Sequence, residues 1–251
     1  MPDSPEEAAP SAPASETATR DAPAAAPEDG PEAALDTAAE ATREATSNRE
    51  EAASIRRCVL VLLNPPVWAP PGIAPDAWRR ALAEDVIDML SGLRTDVGLV
   101  ADPDAVPLAE AVRWPHTTVY EVERATVAAA LSAAHRAGYQ HAAVIASDAP
   151  DLPGMVVGKL LKPVGRRPVA AGPSGNVLWG VAATLPAPGW LLAADPDLDS
   201  HDLATLRAAA ERPGQVAAAP SWHRLRGPDE FAKLDAAVEG WDATRALLSV
   251  G

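Results

Sequence analysis

The run Val144-Ile145-Ala146-Ser147-Asp148-Ala149-Pro150-Asp151-Leu152-Pro153 carries the clearest chemistry in this chain. Its apolar front, His141 to Ala146, predicts a buried strand that stops at Ser147-Asp148, because Pro150 and Pro153 cannot continue a sheet ladder. Two carboxylates three residues apart are left at the C-terminal end of that strand, the edge at which open α/β sheets hold their ligands. Clustered oxygen ligands there suit a hard cation, Mg²⁺ or Mn²⁺, holding a diphosphate. The same residues also read without a ligand, with Asp148 capping a turn or helix start and Asp151 solvated.

Such a strand needs a sheet around it. Arg57-Cys58-Val59-Leu60-Val61-Leu62-Leu63 is a continuous aliphatic run, the pattern of a strand buried on both faces. Asn64-Pro65-Pro66 ends it, and a Pro-rich loop leads to Asp76, a candidate helix cap before Trp78, Leu82, Val86, Met89 and Leu90 on one face. Further strands are expected at 96–100, 117–120, 168–172, 178–182 and 215–218, with helices at 124–137, 201–211 and 228–238. Strands alternating with helices predict a largely parallel sheet covered on both faces.

Composition divides the 251 residues in two. Residues 1–54 hold thirteen acidic and three basic residues, with one leucine, no Ile or Val and no aromatic residue. Such a segment cannot bury enough apolar area to offset its ordering entropy, so a disordered acidic tail is expected. Residues 55–251 carry 22 acids and 18 bases, which argues against a nucleic-acid-binding surface. No apolar run approaches the roughly 20 residues that span a membrane. The lone Cys58 reads as a small core residue, and a cytoplasmic location is expected.

Several chemistries lack their residues. The first strand leads into a proline loop with no glycine fingerprint and no Gly-Lys-Ser/Thr, which argues against a dinucleotide site or a P-loop. Ser147 has no Gly-x-Ser-x-Gly elbow, and the five histidines are too scattered for zinc. Ser174-Gly175-Asn176 joins two short strands and brings backbone N–H groups close to anything bound beside it, though a plain hairpin turn has the same composition. Asp195, Asp197 and Asp199 invite a metal reading, but Asp199 or Ser200 equally suits the cap of the next helix. Lys159, Lys162, Arg166 and Arg167 could reach phosphates or simply be solvated. Trp179 and Trp222 fall near the expected ligand edge and could stack on a base or sugar.

Taken in order, these motifs resemble the GT-A, or nucleotide-diphospho-sugar transferase, superfamily. Within it they are most similar to a bacterial group labelled radical-SAM/selenodomain-associated transferases, relatives of phospholactate guanylyltransferases. That group's strand ends in Gly-Ser-Asp-x-Pro-Asp-Leu, which Ala146-Ser147-Asp148-Ala149-Pro150-Asp151-Leu152 follows at nearly every position. Glu123-Arg124 resembles the group's Gly-Glu-Arg element. The likeness covers roughly 57–234, and only the Asp148 motif in it is specific.

Other motifs of the group have diverged. Its basic Lys-Thr-Arg-Leu loop corresponds to Ile73-Ala74-Pro75-Asp76-Ala77-Trp78-Arg79-Arg80, without the lysine. Its acidic glycine loop has become Gly172-Pro173-Ser174-Gly175-Asn176-Val177. Its late acidic motif appears as Arg224-Leu225-Arg226-Gly227-Pro228-Asp229-Glu230, with Arg226 near an expected metal carboxylate. Two of three metal-facing elements have lost acids, so cation binding should be weaker, or a guanidinium should meet the phosphate directly.

The resemblance implies one three-layer α/β/α domain over 55–251, GT-A-like with a mostly parallel central sheet, after the 1–54 tail. It implies a glycosyltransferase-like or nucleotidyltransferase-like protein that binds a nucleoside diphosphate or nucleotide-sugar. Asp148 and Asp151 would be the catalytic and metal-binding carboxylates, with Mg²⁺ or Mn²⁺ as cofactor. Asn64, Ser147, Ser174, Gly175, Asn176, Trp179 and Arg226 would contact substrate. The alternative is a catalytically inactive GT-A-like copy acting as a binding or scaffolding partner.

Overall fold

The apolar run at 57–62 forms an inner strand of a seven-stranded sheet. The computed structural model describes residues 55–234 and 240–250, so the acidic tail expected over 1–54 lies outside the described residues. Strand β1 (Arg57–Leu62) is followed by helix α1 (Pro75–Ser91), β2 (Asp96–Ala101), α2 (Val106–Val112), β3 (Thr118–Glu121), α3 (Val127–Arg136) and β4 (His141–Ala146). Helix α4 (Gly154–Leu161) then leads to a hairpin of β5 (Val169–Ser174) and β6 (Val177–Thr184). The chain continues through α5 (Gly189–Ala194), α6 (Leu203–Ala209), β7 (Val216–Ala218), the single turn α7 (Pro228–Phe231) and α8 (Asp242–Val250).

The sheet order is β3-β2-β1-β4-β6-β5-β7. All neighbouring pairs are parallel except those made by β6, which runs antiparallel to both β4 and β5. The expected mostly parallel α/β/α architecture is what forms. One face of the sheet packs Val59, Val61, Leu99 and Ile145 against Val86 and Leu90 of α1 and Val157 and Leu160 of α4. The other packs Leu60, Leu62, Val144 and Val181 against Leu131 of α3, Leu191 of α5 and Leu206 of α6. Burial on both faces explains why β1 and β4 read as continuous apolar runs rather than alternating ones.

A third cluster packs α1 against the chain around Leu225. Trp78 and Leu82 of α1 pack with Leu225, while Trp68, Phe231, Leu247 and Leu248 cover them. Trp68 meets Trp78 edge-on at 6.1 Å and Phe231 at 6.0 Å, so the proline loop after β1 is anchored to the chain around Leu225. Asp85, buried within α1, accepts hydrogen bonds from the N–H groups of Ala243 and Thr244 and so caps α8 from another helix.

Several expectations need correction. Helix α1 starts one residue earlier than Asp76, at Pro75 after Ala74, because proline is preorganised for the first helical position. Neither Asp199 nor Ser200 caps α6; Asp202 does, accepting from the Thr205 N–H at 2.7 Å. The helix expected over 228–238 is a single turn ending at Phe231, and 235–239 lie outside the described residues. Helices α2, α4, α5 and α8 had no predicted counterpart. The first three are 6 to 8 residues long, too short for a helical period to stand out, and α4 contains two glycines.

Buried His141, at the start of β4, has its imidazole held below the ordinary histidine range, first by burial and then by the Arg57 charge. A folded state that resists protonation has its full stability above the unfolded value near 6.5 and loses it as pH falls toward the folded value. Below pH 6.5 the unfolding midpoint of the wild-type chain should therefore drop more steeply than that of His141→Gln. Equal slopes in a pH series of thermal melts would assign the acid sensitivity to other groups.

Candidate functional site

Four segments meet where β4 ends. Parallel pairing sets Leu62 of β1 beside Ala146 of β4, which brings Asn64 next to Ser147 and Asp148. Antiparallel β6 begins at the same edge. The chain after β7 runs along β5, with the Ala219 N–H on Ala171 O and the Trp222 N–H on Pro173 O. It then crosses to β4, where the Leu225 N–H donates to Asp148 O at 2.8 Å. The loop between α5 and α6 closes the ring.

Arg224 ties these segments together. Its Nε donates to Asp148 Oδ1 at 2.5 Å and its Nη2 to Asp148 Oδ2 at 2.9 Å, a two-pronged pair. Nη2 also reaches Asp199 Oδ1 at 2.6 Å, and Nη1 donates to Leu178 O at 3.0 Å and Leu198 O at 2.7 Å. A guanidinium has five N–H donors, and all five are matched within the protein. The pair is enclosed, with side-chain exposures of 5% for Arg224 and 6% for Asp148. Burial alone would lower the guanidinium's pKa, but Asp148 and then Asp199 hold it above its already high ordinary value.

Asp151, three residues on, is also engaged. It accepts from Trp222 Nε1 at 3.2 Å, and His223 Nε2 lies 3.0 Å from its Oδ2. The Trp222 and His223 rings stack at 5.4 Å. Beside them opens a cleft of about 400 Å³ between the β5–β6 turn and residues 221–233. Ser174, Gly175 and Asn176 form one wall, and Trp222, His223, Arg226 and Lys233 the other. By contrast, the space between Asn64, Ser147, Asp148 and Asp199 amounts to about 10 Å³. That is room for about one water.

The residues expected to bind ligand therefore separate. Ser174, Gly175, Asn176 and Arg226 line the open cleft, whereas Asn64 and Ser147 lie on the closed crevice with Asp148. Trp179 is fully buried, not poised to stack on a ligand. Its Nε1 donates to Pro220 O at 3.0 Å, and its ring lies where a Cβ on Gly172 would sit. Lys162 is at the other end of the strands, in a cleft of about 950 Å³ with Arg57, Thr95 and Val157, and cannot serve the Asp148 edge. Arg167 is spent on Gly214 O.

The carboxylate partner is Arg224, which the sequence had not singled out; Arg226 was expected to face phosphate. Arg226 instead donates through Nη2 to Asp199 O at 3.0 Å and sits 3.7 Å from Asp199 Oδ1. Extended chain points alternate residues the same way, so Arg224-Leu225-Arg226 offers two equivalent candidates and the sequence cannot choose. His223 and Lys233 were also missed. No group of three His, Cys, Asp or Glu side chains able to hold a metal is present among the described residues. Nor is any described helix long and apolar enough to cross a membrane.

No protein-family model matches the chain, and neither does any curated protein sequence. Solved structures do match. One is a Desulfovibrio desulfuricans G20 protein named for the nucleotide-diphospho-sugar transferases, at 16% identity and TM-score 0.56, over 78% of this chain and 98% of that one. The fold is nucleotide-diphospho-sugar transferase-like. A 4-diphosphocytidyl-2C-methyl-D-erythritol synthase from Anaerococcus prevotii DSM 20548 is similar at 9% identity and TM-score 0.51, over 77% and 96% of the two chains. Rv0371c of Mycobacterium tuberculosis H37Rv, solved with manganese, is at 16% identity and TM-score 0.47, over 78% and 98%. At these identities the likeness is one of fold.

Removing one partner of a buried, fully bonded ion pair leaves an uncompensated charge, which costs about 3–5 kcal/mol. Arg224→Met should lower unfolding stability by about that amount, and Arg226→Met, at a partly exposed pair, by about 1 kcal/mol or less. Urea unfolding of the two variants checks this; equal losses would contradict the division of roles between the arginines.

Proposed function

We propose that this domain binds a nucleotide or nucleotide-sugar at the sheet edge carrying Asp148 and Asp151, and serves nucleotidyl or glycosyl transfer. The observation that carries the reading is the cleft of about 400 Å³ beside that edge, which presents the cations Arg226 and Lys233, with Glu230 beside the lysine, next to the Gly175 turn. A nucleoside diphosphate needs positive charge for its phosphates, N–H donors for its oxygens and a flat surface for its base. Arg226 and Lys233 offer the first. Gly175, with φ of +60°, allows a tight turn that exposes the backbone beside Asn176. The Trp222 and His223 rings, both partly exposed, offer the third.

The fold adds that ligands of open α/β sheets bind outside the carboxyl ends of the strands, where this cleft opens. The kinship with the radical-SAM/selenodomain-associated transferases belongs to the same proposal and rests on the Asp148 motif. So does the extent of the domain over 55–251. Asp148 and Asp151 would then act by holding the wall of the site in place.

Thermal unfolding of the full chain with a panel of nucleoside triphosphates and nucleotide-sugars tests the proposal. A ligand at a hundredfold its dissociation constant should raise the midpoint by about 5–10 °C for a chain of this size. Replacing both Arg226 and Lys233 by alanine should weaken that ligand by at least about tenfold. If no member of the panel moves the midpoint, the nucleotide reading fails, and an inactive binding or scaffolding copy of the fold becomes the better account.

A further inference from the structure

The resemblance that brings Asp148 and Asp151 together also brings an expectation of Mg²⁺ or Mn²⁺, and the residues do not fit one. We infer that Arg224 is the resident cation of this site, held where a divalent ion would sit, so that a phosphorylated ligand binds here without metal. The inference takes the location of the ligand from the proposed function, but the cation part stands on the carboxylates alone.

A hard divalent cation binds through oxygen lone pairs, six or so at a time. Both oxygens of Asp148 are taken by Arg224 at 2.5 and 2.9 Å, and Asp199 Oδ1 by the same guanidinium at 2.6 Å. Asp151 Oδ1 accepts from Trp222 Nε1, and His223 Nε2 stands 3.0 Å from Oδ2 on the other side. The space left on the Asn64 side, about 10 Å³, has room for about one water and not for the several that a hydrated ion brings.

Charge points the same way. Asp148 and Asp199 face Arg224 and Arg226, so the charge of these two carboxylates is already balanced within the protein. Nor can the arrangement switch. A lysine or histidine in this place could lose its proton and release the carboxylates, whereas a guanidinium stays charged at any pH a folded protein meets. Its two carboxylates push it further in that direction.

Arg224 has also no donor to spare, since its five N–H groups meet five acceptors inside the protein. It therefore supplies the field and the framework of a cation but not direct contact with ligand. Direct contact falls to Arg226 and Lys233, which border the cleft.

The test is the thermal midpoint of the full chain in EDTA against millimolar Mn²⁺, for the wild type, Asp148→Asn and Arg224→Ala. The wild type should be unmoved by Mn²⁺, while Arg224→Ala, with its carboxylates uncovered, should regain several degrees when Mn²⁺ is added. A saturable Mn²⁺-dependent rise in the wild type that Asp148→Asn abolishes would overturn the inference. A folded Arg224→Ala that ignores Mn²⁺ would overturn it too, because carboxylates that bind no ion when uncovered are not a cation's seat. Should Arg224→Ala fail to fold, the wild type decides alone: an unmoved midpoint upholds the inference, and a saturable rise overturns it. These outcomes need no nucleotide. Failure of every nucleotide to bind would sink the proposed function and leave the resident cation standing.

Discussion

The arrangement at the end of β4 depends on a single guanidinium. Arg224 joins the Asp148 carboxylate after β4, Leu178 O in β6, and Leu198 O and Asp199 in the α5–α6 loop. Each of these segments leaves regular structure at this edge, so each has backbone or side-chain groups that the sheet does not satisfy. Without the guanidinium the enclosed Asp148 carboxylate would be left unpaired, at a cost of about 3–5 kcal/mol. A well-packed apolar substitute could be as stable as such an ion pair. What the pair confers is geometry: it fixes four chain segments at one point and makes their positions mutually dependent.

That geometry moves the open space of the site. With the crevice at Asn64 and Asp148 closed to about 10 Å³, the accessible volume lies one strand further along, against the β5–β6 turn and residues 221–233. The aromatic cluster of Trp68, Trp78 and Phe231 reinforces the shift, because it pulls the loop after β1 down onto the chain that carries Arg224. Asp151 holds Trp222 through a single hydrogen bond. It fixes the Trp222 indole, on which the His223 ring stacks, in the cleft wall. Asp148 thus works on Arg224 and Asp151 on Trp222, while Arg226 and Lys233 border the cleft.

Much of the sheet was legible in the sequence because buried parallel strands leave a plain signal. The runs at 57–62 and 141–146 are apolar at nearly every position and end abruptly at Asn64-Pro65 and Ser147-Asp148. The short helices were not legible, since helix α4 with two glycines and helix α5 with six residues depend on the sheet they cover rather than on their own propensity. At the site, the two carboxylates stood out in the sequence but Arg224, their partner, did not. Sequence places Arg224 and Arg226 on the same side of an extended segment, and only the crossing of that segment over β4, fixed by the Leu225 N–H on Asp148 O, brings Arg224 to the carboxylate. Trp179 misled for a related reason. Its position near the strand end is as expected, but Gly172 opposite leaves a gap that the indole fills completely.

The central claim is that a side chain, not a metal, carries the positive charge at Asp148. Anomalous diffraction from crystals of the full chain grown with Mn²⁺ tests it most directly, because it locates the ion irrespective of activity. The account predicts no manganese at the β4 edge and a guanidinium bridging Asp148 and Asp199. A manganese peak within coordination distance of the Asp148 carboxylate, with Arg224 displaced from it, would contradict the account outright.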